Sequence, residues 1–399
     1  MNVPKLRFSK YNEEWNKIDL SNVFSYFSTN SFSREQLSFN GIIKNLHYGD
    51  IHKNFGVLVD VSNDINTYIK DQSFKNKYEL CKENDLIIAD ASEDYEGIGK
   101  ATEVININDN KIISGLHTIM VRDTKNIFSP KFKGYYFNSP SIHNQIRVLA
   151  NGFKVFGISK DTINSLNAYI PSKDEQKDIA NMLQLLDKKI ELQSKKVKAL
   201  KLYKKGLNKT IFSNCTQKHK IDDIITEYNK KTTINNQYDV LSSTTSGIYL
   251  QNQYFNKQAA SDDNTGYKII PRGFITYRSM SDTGSFYFNI QNLVDYGIVS
   301  PAYPVFNISD DLVNKDYFIY YLNEDNKFKR SILSTKEGGT RYALSISKFK
   351  NIYITLPSKE EQNRLAKLLN SYNRKLEQEI LKFNKLIEFK KGLMQNMFI

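Results

Sequence analysis

The most regular pattern of apolar positions lies in residues 171–212, and it is repeated in residues 357–398. In both stretches apolar side chains recur at alternating steps of four and three, which places them on one narrow stripe of a helix. The stretches align without a gap, and 16 of the 42 aligned positions are identical. Because self-similarity at a long period indicates duplicated units, the pattern predicts two copies of one long helix.

The apolar stripe is typical of a coiled-coil seam. Its residues are Ile179, Leu183, Leu186 and Ile190 in the first copy, and Leu365, Leu369, Tyr372 and Leu376 in the second. Polar residues interrupt it at the same two places in both copies: Gln193 matches Glu379, and Lys204 matches Lys390. We therefore expect both helices to use the stripe for the same purpose and to pair antiparallel, so that each holds one end of the other. A purely structural seam is the simplest interpretation.

Both copies begin with the same helix-start signal. Pro171 and Pro357 precede Ser172 and Ser358, and a glutamate follows each serine three residues later, as in a capping box. Acidic residues occupy the first turn and lysines the end, as the helix dipole favours. At about 1.5 Å per residue, each copy predicts a rod of about 60 Å.

The segments between the helices mix strand patterns with turns. In residues 1–170, the runs 56–61, 85–89, 103–107 and 117–121 predict strands, and residues 133–138 and 139–149 predict helices. The segment 213–356 repeats this order more loosely. We therefore expect an α+β protein built as a globule and a helix, twice, with boundaries at 1–170, 171–212, 213–356 and 357–399.

The net charge of +13 indicates an anionic partner. Ten of these thirteen charges lie on the two predicted helices. This distribution is consistent with a basic spine beside a phosphate backbone or an acidic protein. It is equally consistent with a solvated helix face.

Motifs for catalysis and metal binding are missing from the sequence. Residues 97–101 resemble the end of a phosphate-binding loop. The first glycine of that motif is replaced by Asp94, and its final serine or threonine is replaced by Ala101. The five histidines have no metal-ligand spacing. No apolar run approaches the roughly 18 residues of a membrane span, and we expect no membrane partner. With only Cys81 and Cys215, a cytoplasmic location is expected.

Over essentially its whole length the chain resembles the specificity subunit of type I restriction–modification enzymes. The resemblance rests on the two Pro-Ser-x-x-Glu-Gln starts, the Lys-Lys-Gly-Leu motifs at 204–207 and 390–393, the opening at 4–8 with Trp15, and residues 297–301. It implies two target-recognition domains that alternate with two long helices, which pair as an antiparallel coiled coil with pseudo-twofold symmetry. Each globule would read one half of a split sequence in double-stranded DNA.

The resemblance also implies the partners and cofactors. The helices would fix the spacing between the half-sites and dock two methyltransferase (modification) subunits, and restriction or motor subunits would join through the complex. The chain itself would be non-catalytic and bind no cofactor or metal. S-adenosylmethionine, ATP and Mg²⁺ would be bound by the partner subunits.

Candidate DNA-binding residues lie on polar loops that follow predicted strands. They are Arg278, Ser279, Arg341, Tyr342 and Ser300 in the second globule, and Lys100, Ser92, His117 and Lys154 in the first. Arg278 is the candidate for a guanine contact, and Arg341, Lys154 and Lys100 are candidates for phosphates. Residues 152–154 are a poorer copy of the Gly-Thr-Arg turn than 339–341, which weakens the assignment of Lys154. For both loops a plain surface turn is the alternative.

Two other function classes remain open on the sequence alone. A structural coiled-coil adaptor that joins proteins without touching DNA would suit duplicated helices and divergent globules equally well. A stand-alone nuclease or methylase ranks third, because no motif supports it.

Overall fold

The computed structural model describes residues 2–70, 78–213, 217–254, 263–333 and 341–399. The chain divides into two compact units: the first unit contains residues 1–194 and 381–399, and the second unit contains residues 195–380. Both mix helices and strands, so the predicted α+β class is confirmed. Cys215, Gly339 and Thr340 lie outside the described residues.

The first unit is built mainly from short strands. They are β1 (Asn16–Ile18), β2 (Phe24–Phe27), β3 (Leu37–Ser38), β4 (Ile43–Leu46), β5 (Leu58–Asp60), β6 (Tyr68–Ile69), β7 (Leu86–Ala89), β8 (Ala91–Ser92), β9 (Ala101–Ile105), β10 (Lys111–Ser114), β11 (Thr118–Asp123), β12 (Phe156–Gly157) and β13 (Ala168–Ile170). Its helices are α1 (Tyr48–Lys53), α2 (Phe132–Phe137), α3 (Pro140–Leu149) and α4 (Lys160–Asn164). The long helix α5 (Lys173–Ser213) follows.

A five-stranded sheet in the order β2-β11-β7-β9-β5 forms the centre of the first unit. It is antiparallel except for the parallel pair β5–β9. Alternate residues of β7 face opposite sides: Leu86 and Ile88 pack in one apolar cluster, and Ile87 and Ala89 in another. The sheet is therefore buried on both faces, which explains the nearly continuous apolar run in this strand.

The second unit repeats the mixture with smaller sheets. Its strands are β14 (Gln217–Lys220), β15 (Ile225–Glu227), β16 (Leu241–Thr244), β17 (Gly247–Leu250), β18 (Lys268–Pro271), β19 (Ile275–Thr276), β20 (Met280–Ser281), β21 (Asn289–Ile290), β22 (Tyr296–Val299), β23 (Val305–Ile308), β24 (Tyr342–Ala343) and β25 (Tyr353–Leu356). Its helices are α6 (Ile221–Ile224), α7 (Gln251–Tyr254), α8 (Lys315–Glu324), α9 (Asn326–Leu333) and α10 (Ile346–Lys350). The chain ends in the long helix α11 (Lys359–Asn396).

Several features of the two units correspond. An antiparallel strand pair lies next to each long helix, β1–β13 before α5 and β14–β25 before α11. An antiparallel sheet in the order β15-β23-β19-β21 forms the centre of the second unit. Phe288, Phe306 and Phe349 pack around Tyr277 in its core. The units share an order of elements more than a sequence.

The start of each long helix is fixed by the glutamine of its Pro-Ser-x-x-Glu-Gln motif, whose bonding partners the sequence did not predict. Gln176 donates from Nε2 to the carbonyl of Pro171 at 3.0 Å and accepts from the backbone N–H of Ser129 at 2.8 Å. Gln362 does the same with Pro357 at 2.9 Å and Asn314 at 2.9 Å. Both glutamines are only 1% exposed. Each glutamine therefore ties the start of its long helix to the segment that precedes a shorter helix of the same unit, α2 in the first and α8 in the second.

The capping prediction is correct at its serine and wrong at its glutamate. Ser172 and Ser358 accept from the N–H three residues on, at 3.4 and 3.3 Å. The matching glutamates, however, do not reach back to the serines. Glu175 is buried and forms two bonds of 2.7 Å with the guanidinium of Arg7, which packs the amino-terminal segment against α5. Glu361 pairs with Arg364 at the surface.

Within the first unit, the predicted stripe of α5 packs into the core. Ile179, Leu183 and Leu186 are buried in the cluster that also holds Leu393 of α11 and Met397 just beyond it, and Ile190 packs against the cluster while partly exposed. The polar position Lys390 contacts Asp187 with 2.5 Å between nitrogen and oxygen. Inside this unit the two helices therefore share one core.

Within the second unit, contacts between the helices run antiparallel. Lys196 of α5 lies 2.9 Å from the buried carboxylate of Glu379. Further along α5, the carbonyl of Leu200 accepts from Tyr372 at 2.7 Å, and Tyr203 stacks on the same ring. Leu365 and Leu369 are buried in the core, and Leu376 is partly exposed. The polar breaks in the stripe are ion-pair positions here also, because Lys204 lies 3.6 Å from Glu324.

A buried ion pair supports the helical layer of the first unit. Glu103 on β9 is 0% exposed, and Lys133 on α2 is 2% exposed. Besides Lys133, the carboxylate accepts the backbone N–H groups of Lys131 and Gly134, both at 2.8 Å. Burial raises the pKa of Glu103, and the charge of Lys133 opposes that shift. The carboxylate therefore caps the first turn of α2 from the neighbouring sheet.

We expect Gln176→Ala to lower the free energy of unfolding of the first unit by about 1–3 kcal/mol, because the buried N–H of Ser129 loses its acceptor. A urea titration followed by the fluorescence of Trp15 measures this, since Trp15 is the one tryptophan of the chain and is buried in the same unit. Lys188→Ala, at an exposed position of α5, is the control. Equal urea midpoints for both variants would contradict the role of Gln176.

Glu103→Gln should cost more, about 3–5 kcal/mol, because it leaves the charge of Lys133 buried without a counter-ion. The double variant Glu103→Gln, Lys133→Met should recover part of this loss, since no buried charge remains. The same titration at neutral pH tests both variants. If the double variant is less stable than Glu103→Gln, the pair does not act through charge compensation.

Candidate nucleic-acid interface

The loop that carries Arg278 is held at both ends. At its start, Tyr277 is buried and donates to the carbonyl of Leu344 at 3.1 Å, and burial raises the pKa of this phenol. At its end, Gly284 has φ +77°, and a Cβ there would stand 2.5 Å from Leu333. Only glycine meets both conditions without a shift of neighbouring atoms. The loop is therefore a fixed feature of the second unit.

Arg278 projects from this fixed loop into a groove of about 430 Å³. Its side chain is exposed, and its guanidinium makes no hydrogen bond or ion pair to any described residue. Tyr303 lies nearby; burial raises the pKa of its phenol, and the positive charge of Arg278 opposes that shift. An unpaired guanidinium on a rigid loop has the geometry to form a two-pronged contact with a base edge.

The candidates Arg341 and Tyr342 lie beside this loop. Strand β20 pairs with β24, so that Ser281 lies opposite Tyr342. Arg341 forms an ion pair of 2.8 Å with Asp282, and both side chains are more than half exposed. Ser279 contributes its carbonyl, which accepts from Leu344. These contacts join two segments about 60 residues apart in sequence.

Ser300 completes this set. It lines a neighbouring groove of about 450 Å³ together with Arg278, Tyr303 and Arg341. The five residues proposed for the second globule therefore lie in one region of the second unit. Their assignment as DNA contacts stays a prediction.

Sequence reasoning missed a polar hairpin in the same region. Ser242, Ser243 and Thr244 of β16 line the groove beside Arg278. Asn289 holds the hairpin in place by donating to Ser243 and to the carbonyl of Thr244, both at 2.8 Å. The run of serine and threonine before Gly247, which has φ +131°, is the signal that indicates such a turn.

The first unit has the corresponding pairing. Strand β8 pairs with β12, which sets Ser92 opposite Phe156 and brings residues 152–157 beside the 90–100 loop. Gly152 has φ +127°, and a Cβ there would stand 2.0 Å from the carbonyl oxygen of Val155. Lys154 lies in this turn, exposed and without a side-chain partner among the described residues. It therefore stands in the place that Arg341 takes in the second unit.

His117 faces the same loop from the end of a glycine turn. Its backbone is left-handed, with φ +54°, and its Nδ1 lies 3.3 Å from a carboxylate oxygen of Asp90. The imidazole meets the ring of Tyr48 edge-on, with 5.2 Å between centroids. Burial raises the pKa of Asp90, and His117 opposes the shift. About half of the imidazole remains exposed, so it can reach a ligand.

The other two candidates of the first unit are engaged in structural contacts. Lys100 donates from Nζ to the carbonyl of His52 at 3.0 Å, and burial lowers the pKa of its amine. Ser92 is buried, and its hydroxyl donates to the carbonyl of Asp94 at 2.7 Å. A DNA contact by either side chain would require its hydrogen bond to break. Both assignments stay predictions.

A metal site would need several ligating side chains close together. Within the described ranges, no group of three or more histidine, cysteine or acidic residues is placed to hold a metal ion. In the same part of the chain, no helix combines the length and apolarity needed to cross a bilayer.

Comparison with known proteins gives the family. The family described as "Type I restriction modification DNA specificity domain" matches residues 12–202 and again residues 209–383. Each match covers one globule and most of the long helix that follows it. The duplication found in the sequence is therefore a duplication of this domain.

Solved structures of the same kind share the fold. The S subunit of a type I restriction–modification system from M. genitalium is 15% identical, with a TM-score of 0.59 over 100% of this chain and 99% of that one. A chain from a structure titled for complex assembly and conformational transition of the type I R-M system is 14% identical. Its TM-score is 0.52 over 98% of this chain and 96% of that one. At these identities the likeness concerns the fold alone.

The two matches of the family model span most of the sequence, and both fall on the repeated unit that the helices and globules define. The protein therefore belongs to the family of type I restriction–modification DNA specificity domains, whose role is sequence-specific recognition of DNA.

Proposed function

We propose that each unit reads one half of a bipartite target in double-stranded DNA. The observation that carries the proposal is Arg278, an exposed arginine with no ion-pair partner among the described residues. It lies on a loop fixed by Tyr277 and Gly284. The turn with Lys154 beside the 90–100 loop is the counterpart in the first unit. Because the loops differ in sequence, the two halves of the target should differ.

We further propose that α5 and α11 fix the spacing between the half-sites by pairing as a coiled coil. The contacts of each unit support this, since each core includes residues of both helices. Helices of 41 and 38 residues, at about 1.5 Å per residue, are about 60 Å long, which is long enough to hold two DNA-reading globules apart.

We also propose that two modification subunits dock on the chain and supply methyl transfer with S-adenosylmethionine, and that a motor subunit supplies ATP- and Mg²⁺-dependent cleavage. The chain would then be a non-catalytic subunit of a cytoplasmic complex. Family membership supports this, as does the fold shared with a chain from a structure titled for assembly of a type I system.

Arg278→Ala should weaken binding to the second half-site by about 1–3 kcal/mol, or roughly 5- to 150-fold, because it removes a two-pronged hydrogen bond to a base. Binding is measured by titrating the complex of this chain and its modification subunits into duplexes in which one half-site is changed at a time. Arg272→Ala is the matched control, because Arg272 is exposed but already paired with Asp295. An equal loss at both half-sites would contradict a base-reading role.

One heptad inserted in both long helices, after Ser194 and after Ile380, should lengthen the preferred spacer by about three base pairs. Seven helical residues add about 10 Å, and the duplex rises about 3.4 Å per pair. Methylation of duplexes that differ only in spacer length measures the shift. A heptad in α5 alone should instead abolish methylation, because the helices no longer match. An unchanged preferred spacer length in the double insertion would show that the two helices do not set the distance between the half-sites.

A further inference from the structure

A second basic surface lies in the second unit, away from the loop of Arg278. The end of α5 and the helices α8 and α9 enclose a groove of about 470 Å³. From α5 it receives four lysines: Lys201, Lys204, Lys205 and Lys209. Lys204 is partly neutralised by Glu324 at 3.6 Å, whereas the other three amines have no ion pair within the described part of the chain.

Helix α9 supplies the other wall. Lys327, Lys329 and Arg330 line the groove, while Phe328 and Ile332 turn into the core. Asp325 also lines it, but its carboxylate caps α9 by accepting from the N–H of Phe328 at 2.6 Å. Seven basic side chains therefore face two carboxylates, of which one caps a helix. The groove therefore carries the net positive charge that an anion-binding site requires.

A buried polar atom points to a ligand in this groove. Asn208, also in the lining, is 8% exposed, and its Oδ1 has no hydrogen-bond partner in the described structure. Buried amide oxygens are seldom left unpaired unless a water or ligand completes them. Because the two ends of an amide exchange by a half-turn, Asn208 can also present N–H donors to an anion.

The duplication shows that most of this charge is not needed for the fold. The helix positions of Lys201, Asn208 and Lys209 are occupied in the second copy by Ile387, Met394 and Gln395. Aligning the buried pair of α9 with Ile142 and Ile146 of α3 sets Lys327, Lys329 and Arg330 against Ser141, His143 and Asn144. Lys204 and Lys205 recur as Lys390 and Lys391, but the other five basic positions of the groove have no lysine or arginine in the first unit.

The groove is linked to the recognition loop through α9. Leu333, the last residue of α9, lies against Gly284 at the end of that loop. Eight helical residues span about 12 Å, a length over which a duplex carries about seven phosphate charges. The start of α9, which lines the groove, is therefore about 12 Å from the contact between Leu333 and Gly284, close enough for a duplex bound at the loop to reach both.

We propose that this groove binds the sugar–phosphate backbone of the duplex beside the second half-site. The inference rests on the function proposed above, because it takes DNA as the ligand of the neighbouring loop. An acidic segment of a modification subunit is the competing occupant. Two identical subunits docked on a duplicated scaffold would call for equivalent surfaces in both units, whereas five of the seven basic residues occur only in the second unit.

The test removes four charges with Lys205→Gln, Lys209→Gln, Lys327→Gln and Arg330→Gln in the full chain, assembled with its modification subunits. Removing one phosphate contact should reduce the slope of log Kobs against log salt by about 0.9, so we expect a reduction of about 3.6 for the four changes. The loss of affinity should be the same for cognate DNA and for DNA with a scrambled second half-site, because backbone contacts carry no sequence information.

A variant with the same net charge is the control. It changes four exposed lysines elsewhere on α5 to glutamine: Lys173, Lys188, Lys189 and Lys198. Equal salt slopes for the groove variant and the control would overturn the proposal. It would also be overturned if the groove variant kept the wild-type slope but no longer bound the modification subunits. The pair Lys201→Ile, Lys209→Gln copies the residues of the second helix and should retain the fold, with about half the change in slope. Arg278→Ala tests the recognition loop separately, so the groove can fail while that function stands.

Discussion

Each long helix has an apolar stripe that has to be covered, and neither helix covers it alone. In the first unit the stripe of α5 is buried together with the last turns of α11 against the globule, and in the second unit the reverse parts of the helices are buried in the same way. The globules, the helix starts and the polar breaks are arranged around this constraint. The three charged breaks in the stripe, Glu379, Lys204 and Lys390, each form an ion pair.

The glutamine four residues after each capping serine holds both long helices in the same way at their starts. Gln176 and Gln362 form equivalent bonds in units whose globules have diverged. A scaffold held in this way tolerates large changes in the loops of Arg278 and Lys154, because those loops form none of the bonds of Gln176 and Gln362. This separation suits a family in which one part of the chain determines the sequence that is read and another keeps the subunit's architecture.

The sequence predicted the features that depend on local patterns. The helices follow from a stripe read within one segment, and the strand β7 from its run of apolar residues. The bonds of Gln176 and Glu175 were not predictable, since their partners Ser129 and Arg7 lie 47 and 168 residues away. The candidate site divides in the same manner. Arg278 follows its strand directly, whereas the hairpin of Ser242 reaches it only through tertiary packing, and the engagement of Lys100 by His52 leaves no local signal.

We propose that this chain reads two unlike DNA segments a set distance apart. The most direct measurement is the map of methylated bases in cells that express the chain with its modification subunit, against cells that express the modification subunit alone. We expect one target, made of two short defined sequences separated by a fixed number of unspecified base pairs and methylated only when the chain is present. A single continuous target, or methylation without sequence preference, would contradict it.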